Sequence, residues 1–432
     1  MKVLAALVVA GLLVAAAPCE VRAYSVLSHE ANIDALWETG IRPLLVKRFP
    51  RATPEELLKV RAYAYGGSVI QDLGYFPFGS RFFSNLLHYA RTGEFVEAMI
   101  REAKDLPEYA FALGALAHYA ADNVGHPEAV NRSVALMYPK LRARYGESVT
   151  FADSPATHVL VEFSFDVVQI AAGRYKSDAY QSFIGFEVAK PVLERAFQAT
   201  YGLEMKDVFF DEDRSIGSYR YAISQMVPQL TRIAWRDKKD EIAKALPGVT
   251  QKEIVYRFNR REFERAYGTK YRKPGVPARL LAFVFKLLPK VGPLRSLQFK
   301  SPTPEAEALF LKSLNDTRGR YRAALESLGA GRLDLANTDF DTGKPSARGE
   351  YELADETYAE LLHRLADRKF AGLPDALRRN ITAFYAGPPN RTASKKEQKR
   401  LERIRRELAA LAATKDTKET KDTKARKTEP GI

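Results

Sequence analysis

Six histidines, His29, His88, His118, His126, His158 and His363, are the side chains of this sequence best suited to chemistry, and five of them fall between positions 29 and 158. Carboxylates accompany them at ligand-like spacing. In the segment GALAHYAADNVGHPEA, Asp122 follows His118 by four residues and His126 follows Asp122 by four. On a helix each four-residue step turns the side chain by about 40°, so the three fan over roughly 80° of one face. Gly125 and Pro127 flank His126 and predict that the helix ends there. His158 and Glu162, in THVLVEF, repeat the i, i+4 spacing. A neutral imidazole and a carboxylate one turn apart can clasp a divalent cation, with zinc the usual guest. Taken singly, each pair reads as well as a surface hydrogen-bonded pair. Two pairs, an added His126 and apolar surroundings point together to metal, because buried charge needs neutralising. Asp166, four residues after Glu162, shares its face and is expected to hold a ligating histidine from behind. His363, in YAELLHRLADRKF, reads as an ordinary helix residue.

Helices must position these groups. Apolar residues recur at three- and four-residue spacing over 60–70, 95–104, 108–123 and 156–172, whereas alternating β-branched runs are scarce. An all-α fold is expected. Gly and Pro cluster at 74–79, 273–277 and 329–345 and mark loops or joints. Residues 337–343 carry acidic groups whose spacing fails the calcium-loop pattern, and they read as a plain polar loop. Residues 277–300 (PARLLAFVFKLLPKVGPLRSLQFK) mix apolar and basic residues. They read either as a core helix with outward lysines or as a segment lying in a lipid interface. The aromatic run 75–83 (YFPFGSRFF) leaves the same choice between core and lipid contact.

The 432 residues, 46% hydrophobic with 24 Phe and 21 Tyr, can build a large core, which excludes a wholly disordered chain. A single cysteine excludes a disulfide framework and Cys-based zinc fingers. The net charge of +14 is a weak guide to partners, because residues 394–432 hold 13 Lys and Arg against 7 Asp and Glu. That tail reads as a charged helix followed by a disordered Lys-rich end. Residues 1–23 combine Lys2, an apolar run and Val21-Arg22-Ala23, the pattern of a cleaved export signal too short to span a bilayer. Cleavage there removes the cysteine and leaves Tyr24 at the N-terminus. A periplasmic or extracellular address is expected.

In chain order Tyr24, His29, Asp72, His88, His118, Asp122, His126, His158 and Glu162 resemble the ligand series of zinc-dependent phospholipase C and of the fungal single-strand-specific zinc nucleases that share its fold. The Tyr24-to-His29 interval is that of the nuclease branch, and Glu at 162 is the phospholipase choice. The family usually begins with Trp, the histidine after Asp122 stands six residues on in relatives, and the His88-to-His118 interval is compressed here. The resemblance covers residues 24–162 and implies a multi-helix domain with up to three zinc ions, placed over 24–200; residues 201–393 read as a helical extension of unknown role, followed by the tail from 394. It implies one zinc on Asp72, His88, His118 and Asp122, and a second on His126, His158 and Glu162. The third would sit on His29, Asp122 and the α-amine and carbonyl of Tyr24, which makes signal cleavage an activation step.

Divalent ions in a cleft suit phosphoester hydrolysis, since a bound water is acidified to hydroxide while other ions take the phosphoryl oxygens. The family's candidate for orienting or deprotonating that water is Asp72. No Gly-x-Ser-x-Gly elbow, P-loop or dinucleotide fingerprint competes. The expected function is a secreted zinc phosphodiesterase of phospholipase C type acting on phospholipid at a membrane surface. A single-strand nuclease, and a non-catalytic zinc-binding envelope protein, are the alternatives. No protein partner is inferable.

Overall fold

Local capping signals set where the helices begin. The Thr53 hydroxyl accepts the Glu56 amide at 3.2 Å while the Glu56 carboxylate accepts the Thr53 amide at 2.8 Å, and Pro54 opens the helix behind them. Asp105 and Thr303 cap two further helices one way only, accepting the Glu108 amide at 2.9 Å and the Ala306 amide at 3.2 Å, each again with a proline in the first turn. A computed structural model describes residues 26–76, 78–175, 187–245, 247–255, 300–387 and 400–414. The main helices are α1 (Val26–Leu36), α2 (Pro54–Gly67), α3 (Arg81–Tyr89), α4 (Thr92–Glu102), α5 (Leu106–Gly125) and α6 (Asn131–Met137). They continue with α7 (Pro155–Ala171), α8 (Lys190–Tyr201), α9 (Glu212–Asp237), α10 (Pro304–Gly329), α11 (Glu352–Asp367) and α12 (Asp375–Ala386). Among the described residues there is no strand, only an isolated antiparallel bridge between Thr338 and Pro345. The fold is all-α, as the periodicity predicts.

Helix α5 is the axis of the molecule, and all but a few of its residues are buried. Its neighbour α2 comes so close that a Cβ on Gly67 would lie 1.9 Å from the Phe111 carbonyl oxygen, and one on Gly114 would lie 2.1 Å from that of Ala64. Those obstacles are backbone, which no rotamer change can move. The close approach has a use: Ser68, just past the end of α2, presents its carbonyl to His118 on α5. We predict that Gly114→Ala destabilises the protein by about 1–3 kcal/mol, because overpacking outweighs the better helix propensity of alanine. An unchanged denaturant midpoint would show that the two helices can part at no cost.

The later helices join the same core rather than forming a separate one. A continuous apolar cluster includes Leu27, Phe111, Phe197, Tyr219, Tyr321 and Leu362. Buried tyrosines tie the halves through hydroxyls that must find acceptors. Tyr219 donates to the Val69 carbonyl at 2.6 Å, Tyr321 to that of Leu113 at 2.9 Å, and Tyr201 to that of Ala90 at 2.9 Å. A second cluster stacks Phe165 of α7 on Phe310 of α10, ring centroids 4.4 Å apart. Most of the aromatic run 75–83 is core: Tyr75, Phe76 and Phe83 are buried, whereas Phe78 is exposed. Residues 1–25, which include the expected export signal and Tyr24, the basic-apolar segment 277–299 and the tail from 415 lie outside the described residues. Within the described residues no helix is long and apolar enough to cross a membrane.

Candidate metal centre

Five elements converge on the site. His29 comes from α1, Asp72 from a short 3-10 turn (Ile70–Tyr75), His88 from the last turn of α3, His118 and Asp122 from α5, and His158 and Glu162 from α7. His126 starts a π turn (His126–Val130) that carries α5 over into α6. The helix ends here as predicted, α5 stopping at Gly125 with His126 as its C-cap, but the chain continues helically in a wider turn. Pro127 explains it, since its missing N–H cannot close the ordinary bond to the Asn123 carbonyl. The wider turn closes instead through the Asn131 amide on the His126 carbonyl, a device that re-aims side chains.

Every one of these side chains is buried, none more than 2% exposed. Asp122 is the hub. Its Oδ1 lies 3.5 Å from His29 Nε2, and its Oδ2 lies 3.0 Å from His118 Nε2, 3.4 Å from His88 Nε2 and 3.8 Å from His126 Nε2. Asp72 Oδ1 reaches the other side of His88 Nε2 at 3.4 Å. His29 and His118 stack with centroids 4.4 Å apart. His126 and His158 stack at 5.0 Å.

The tautomers are set from behind. His88 Nδ1 bonds the Ser84 carbonyl at 2.7 Å and His118 Nδ1 bonds that of Ser68 at 2.9 Å. A carbonyl only accepts, so both Nδ1 atoms carry hydrogen, and either ring in its neutral form turns an Nε2 lone pair inward. There His88 Nε2, His118 Nε2, Asp72 Oδ1 and both oxygens of Asp122 are buried without a hydrogen-bond partner. Each such orphan costs about 1–3 kcal/mol. A cation among them would satisfy all of them together, so the residues fit a metal. Burial, followed by the neighbouring His118, holds the pKa of His29 well below the usual histidine range, which keeps it in the neutral form a metal needs. Burial also works against a charged His88, but the carboxylates of Asp122 and Asp72 prevail and push its pKa up to about 9. A metal entering there displaces a proton, and its affinity therefore rises with pH.

At the second group, His158 Nδ1 lies 2.8 Å from Glu162 Oε1 while its Nε2 lies 2.8 Å from Asn131 Oδ1. The Asn131 amide nitrogen donates to the Asp341 carbonyl at 2.7 Å, which orients the amide with its oxygen toward His158. Nε2 of His158 is then the N–H, and Nδ1 and a carboxylate oxygen at 2.8 Å need a cation between them, proton or metal. Three buried groups can thus hold a metal: His29, His118 and Asp122; Asp72, His88 and His118; and His126, His158 and Glu162. His363 stands apart, 2.8 Å from Glu407.

Asp166 accepts the Leu27 amide at 3.2 Å and the Ser28 hydroxyl at 2.7 Å, and so fastens the start of α1 just before His29. One expectation is corrected. The stretch 337–343 is not a plain polar loop. Asp341 is fully buried, with Oδ1 3.6 Å from His126 Nδ1, and Phe340 packs on the rings of His88 and His118 at 5.3 and 6.1 Å. Sequence reasoning also missed Asn131 and the Ser68 and Ser84 carbonyls. Only Asn131 left a trace, one helical step and a bulge past His126.

The family model for zinc-dependent phospholipase C matches residues 34–211. That span takes in Asp72, His88, His118, Asp122, His126, His158 and Glu162, but not His29, Phe340 or Asp341. No curated protein and no solved structure matches the chain.

Proposed function

We propose that this chain, with a zinc-dependent phospholipase C domain over 34–211, is an exported phosphodiesterase that hydrolyses phospholipid phosphoesters. The reading rests on one observation above the others. Both oxygens of a fully buried Asp122 face imidazole nitrogens and lack any hydrogen-bond partner, a donor set built for cations. Asp72, His88, His118 and Asp122 would hold one zinc, and His126, His158 and Glu162 a second. His29 and Asp122, with the backbone of Tyr24 once residues 1–23 are removed, would hold a third.

Bound zinc supplies Lewis acidity toward phosphoryl oxygens and an acidified water as nucleophile. The chain's own residues do the rest. Asp72 is fixed on a tight 3-10 turn with Oδ1 open toward the centre, where it orients the attacking water or takes its proton. Ser68, Ser84 and Asn131 keep the inner ring nitrogens bare. Phe340 closes the floor and excludes solvent, which strengthens each charge interaction inside.

Lipid rather than nucleic acid is favoured by the phospholipase C family match over 34–211, and the exposed Phe78 and Phe210, with the Arg214 guanidinium 4.1 Å over the Phe78 ring, are compatible with it. Phe78 follows the turn that carries Asp72 by three residues. An exposed aromatic beside a cation suits a headgroup interface. The test is turnover of phosphatidylcholine vesicles and of single-stranded RNA and DNA by the mature protein, before and after chelation. Headgroup release that chelator abolishes and zinc restores is expected. Cleavage of nucleic acid with no lipid turnover would replace the reading by a nuclease, and full zinc content with neither activity would replace it by a zinc-binding envelope protein.

A further inference from the structure

We propose that the loop 337–343, about 130 residues beyond the matched domain, is the outer coordination shell of the His126, His158 and Glu162 site, with Asp341 as its positioning residue. This rests on the metal-centre reading above.

Asp341 is fully buried. Its Oδ2 accepts the Tyr89 hydroxyl at 2.9 Å and also that of Tyr351. Its Oδ1 has no hydrogen-bond partner and points at His126 Nδ1, 3.6 Å away. Two tyrosines thus anchor one oxygen so that the other faces an imidazole, an arrangement that serves no packing purpose. A carboxylate beside Nδ1 favours the tautomer with hydrogen there, which leaves Nε2 as the lone pair, and Nε2 is the atom that faces Asp122. The main chain of the same residue serves the other histidine: the Asp341 carbonyl takes the Asn131 amide, and Asn131 Oδ1 takes His158 Nε2–H. One residue thereby selects the inner nitrogen of both histidines.

The surrounding loop is shaped to deliver it. Gly343 has φ +70°, and a Cβ there would lie 3.1 Å from both the Asn123 carbonyl oxygen and Pro127 Cγ. The loop lies directly on the π turn that Pro127 creates. The Phe340 amide donates to the His88 carbonyl at 3.0 Å, and Thr342 closes the loop on Asp339 through amide and hydroxyl. The C-terminal region is therefore part of the metal centre.

Asp341→Asn tests the assignment. The amide oxygen can keep the tyrosine bonds while the amide nitrogen, a donor, turns to His126 Nδ1 and forces hydrogen onto Nε2, as happens when an orienting aspartate becomes asparagine in a hydrolase triad. Cobalt(II) titration of the full mature chain, read by visible absorption, follows each site without turnover. We expect Asp341→Asn to weaken one class of site about 10–100-fold and to remove its share of the spectrum, leaving the others at wild-type affinity. Tyr351→Phe, which keeps the carboxylate, should weaken the same class to a smaller degree. Unchanged affinity and spectrum in Asp341→Asn would overturn the proposal, as would equal weakening of all sites in both variants, the mark of a merely structural role. Failure of the wild type to bind cobalt would overturn the metal-centre reading instead.

Discussion

If the chain is the proposed zinc phosphodiesterase, Asp122→Asn should remove about two metal ions per chain and lower turnover by roughly 10³-fold or more. The size follows from position. One carboxylate serves His29 through Oδ1 and His88 and His118 through Oδ2, so losing its charge weakens two adjoining sites together. Metal ions supply several kcal/mol of charge stabilisation in the transition state, and every 1.36 kcal/mol is about a decade in rate. An amide also places N–H donors against lone-pair nitrogens, where no metal can then sit. Burial alone would raise the pKa of Asp122, yet His118, His88 and His29 hold it well below the usual carboxylate range. With a depressed folded pKa, the stability it contributes is present above the unfolded value and lost as pH falls through the folded one. The variant is therefore somewhat less stable above about pH 4, and metal content must be measured on folded monomer. Wild-type zinc content in that fraction would contradict the assignment of Asp122 as a shared ligand.

Removing the metal from the wild-type protein is the second large effect. Ligand that binds only the folded state stabilises it by about 4 kcal/mol at a thousand-fold excess over Kd. At about 2.1 cal/mol/K of unfolding entropy per residue, each kcal/mol is worth roughly 1.2 °C of Tm in a chain of about 400 residues. Chelation should then lower Tm by about 5 °C for the tightest site alone, and by more if the other sites empty with it. The reason lies in the orphaned atoms: without a cation, His88 Nε2, His118 Nε2, Asp72 Oδ1 and the Asp122 oxygens stay buried and unsatisfied. Calorimetric scans with and without chelator read this directly. Equal Tm values, with zinc shown to be bound beforehand, would mean that binding energy is not coupled to folding here.

Much of this centre is legible in the sequence because its side chains come as helical pairs. His118 with Asp122 and His158 with Glu162 sit one turn apart and remain so in space. The apolar periodicity that marks α5 and α7 as helices also marks them as buried, which is why carboxylates on them ask for a cation. What escapes is whatever depends on backbone or on distant loops. Pro127 between His126 and the next helix reads as a stop, yet a π turn lets the chain pass through it. The Ser68 and Ser84 carbonyls leave no sequence signal at all. Asp341 stands among ordinary polar loop residues, and only the tyrosines at 89 and 351, 252 and 10 positions away, reveal its purpose. Helical spacing gives Asp166 a face but not its partners, and the bonds it accepts from Leu27 and Ser28 leave no sequence signal.

The central claim is that the buried imidazoles and carboxylates form a zinc centre. Anomalous diffraction at the zinc edge, from crystals of the mature protein grown with zinc, tests it most directly. The account predicts a peak about 2.0–2.2 Å from His88 Nε2, His118 Nε2 and the Asp72 and Asp122 carboxylates, with a further peak between His126, His158 and Glu162. An ordered site with no anomalous density among these residues would contradict it.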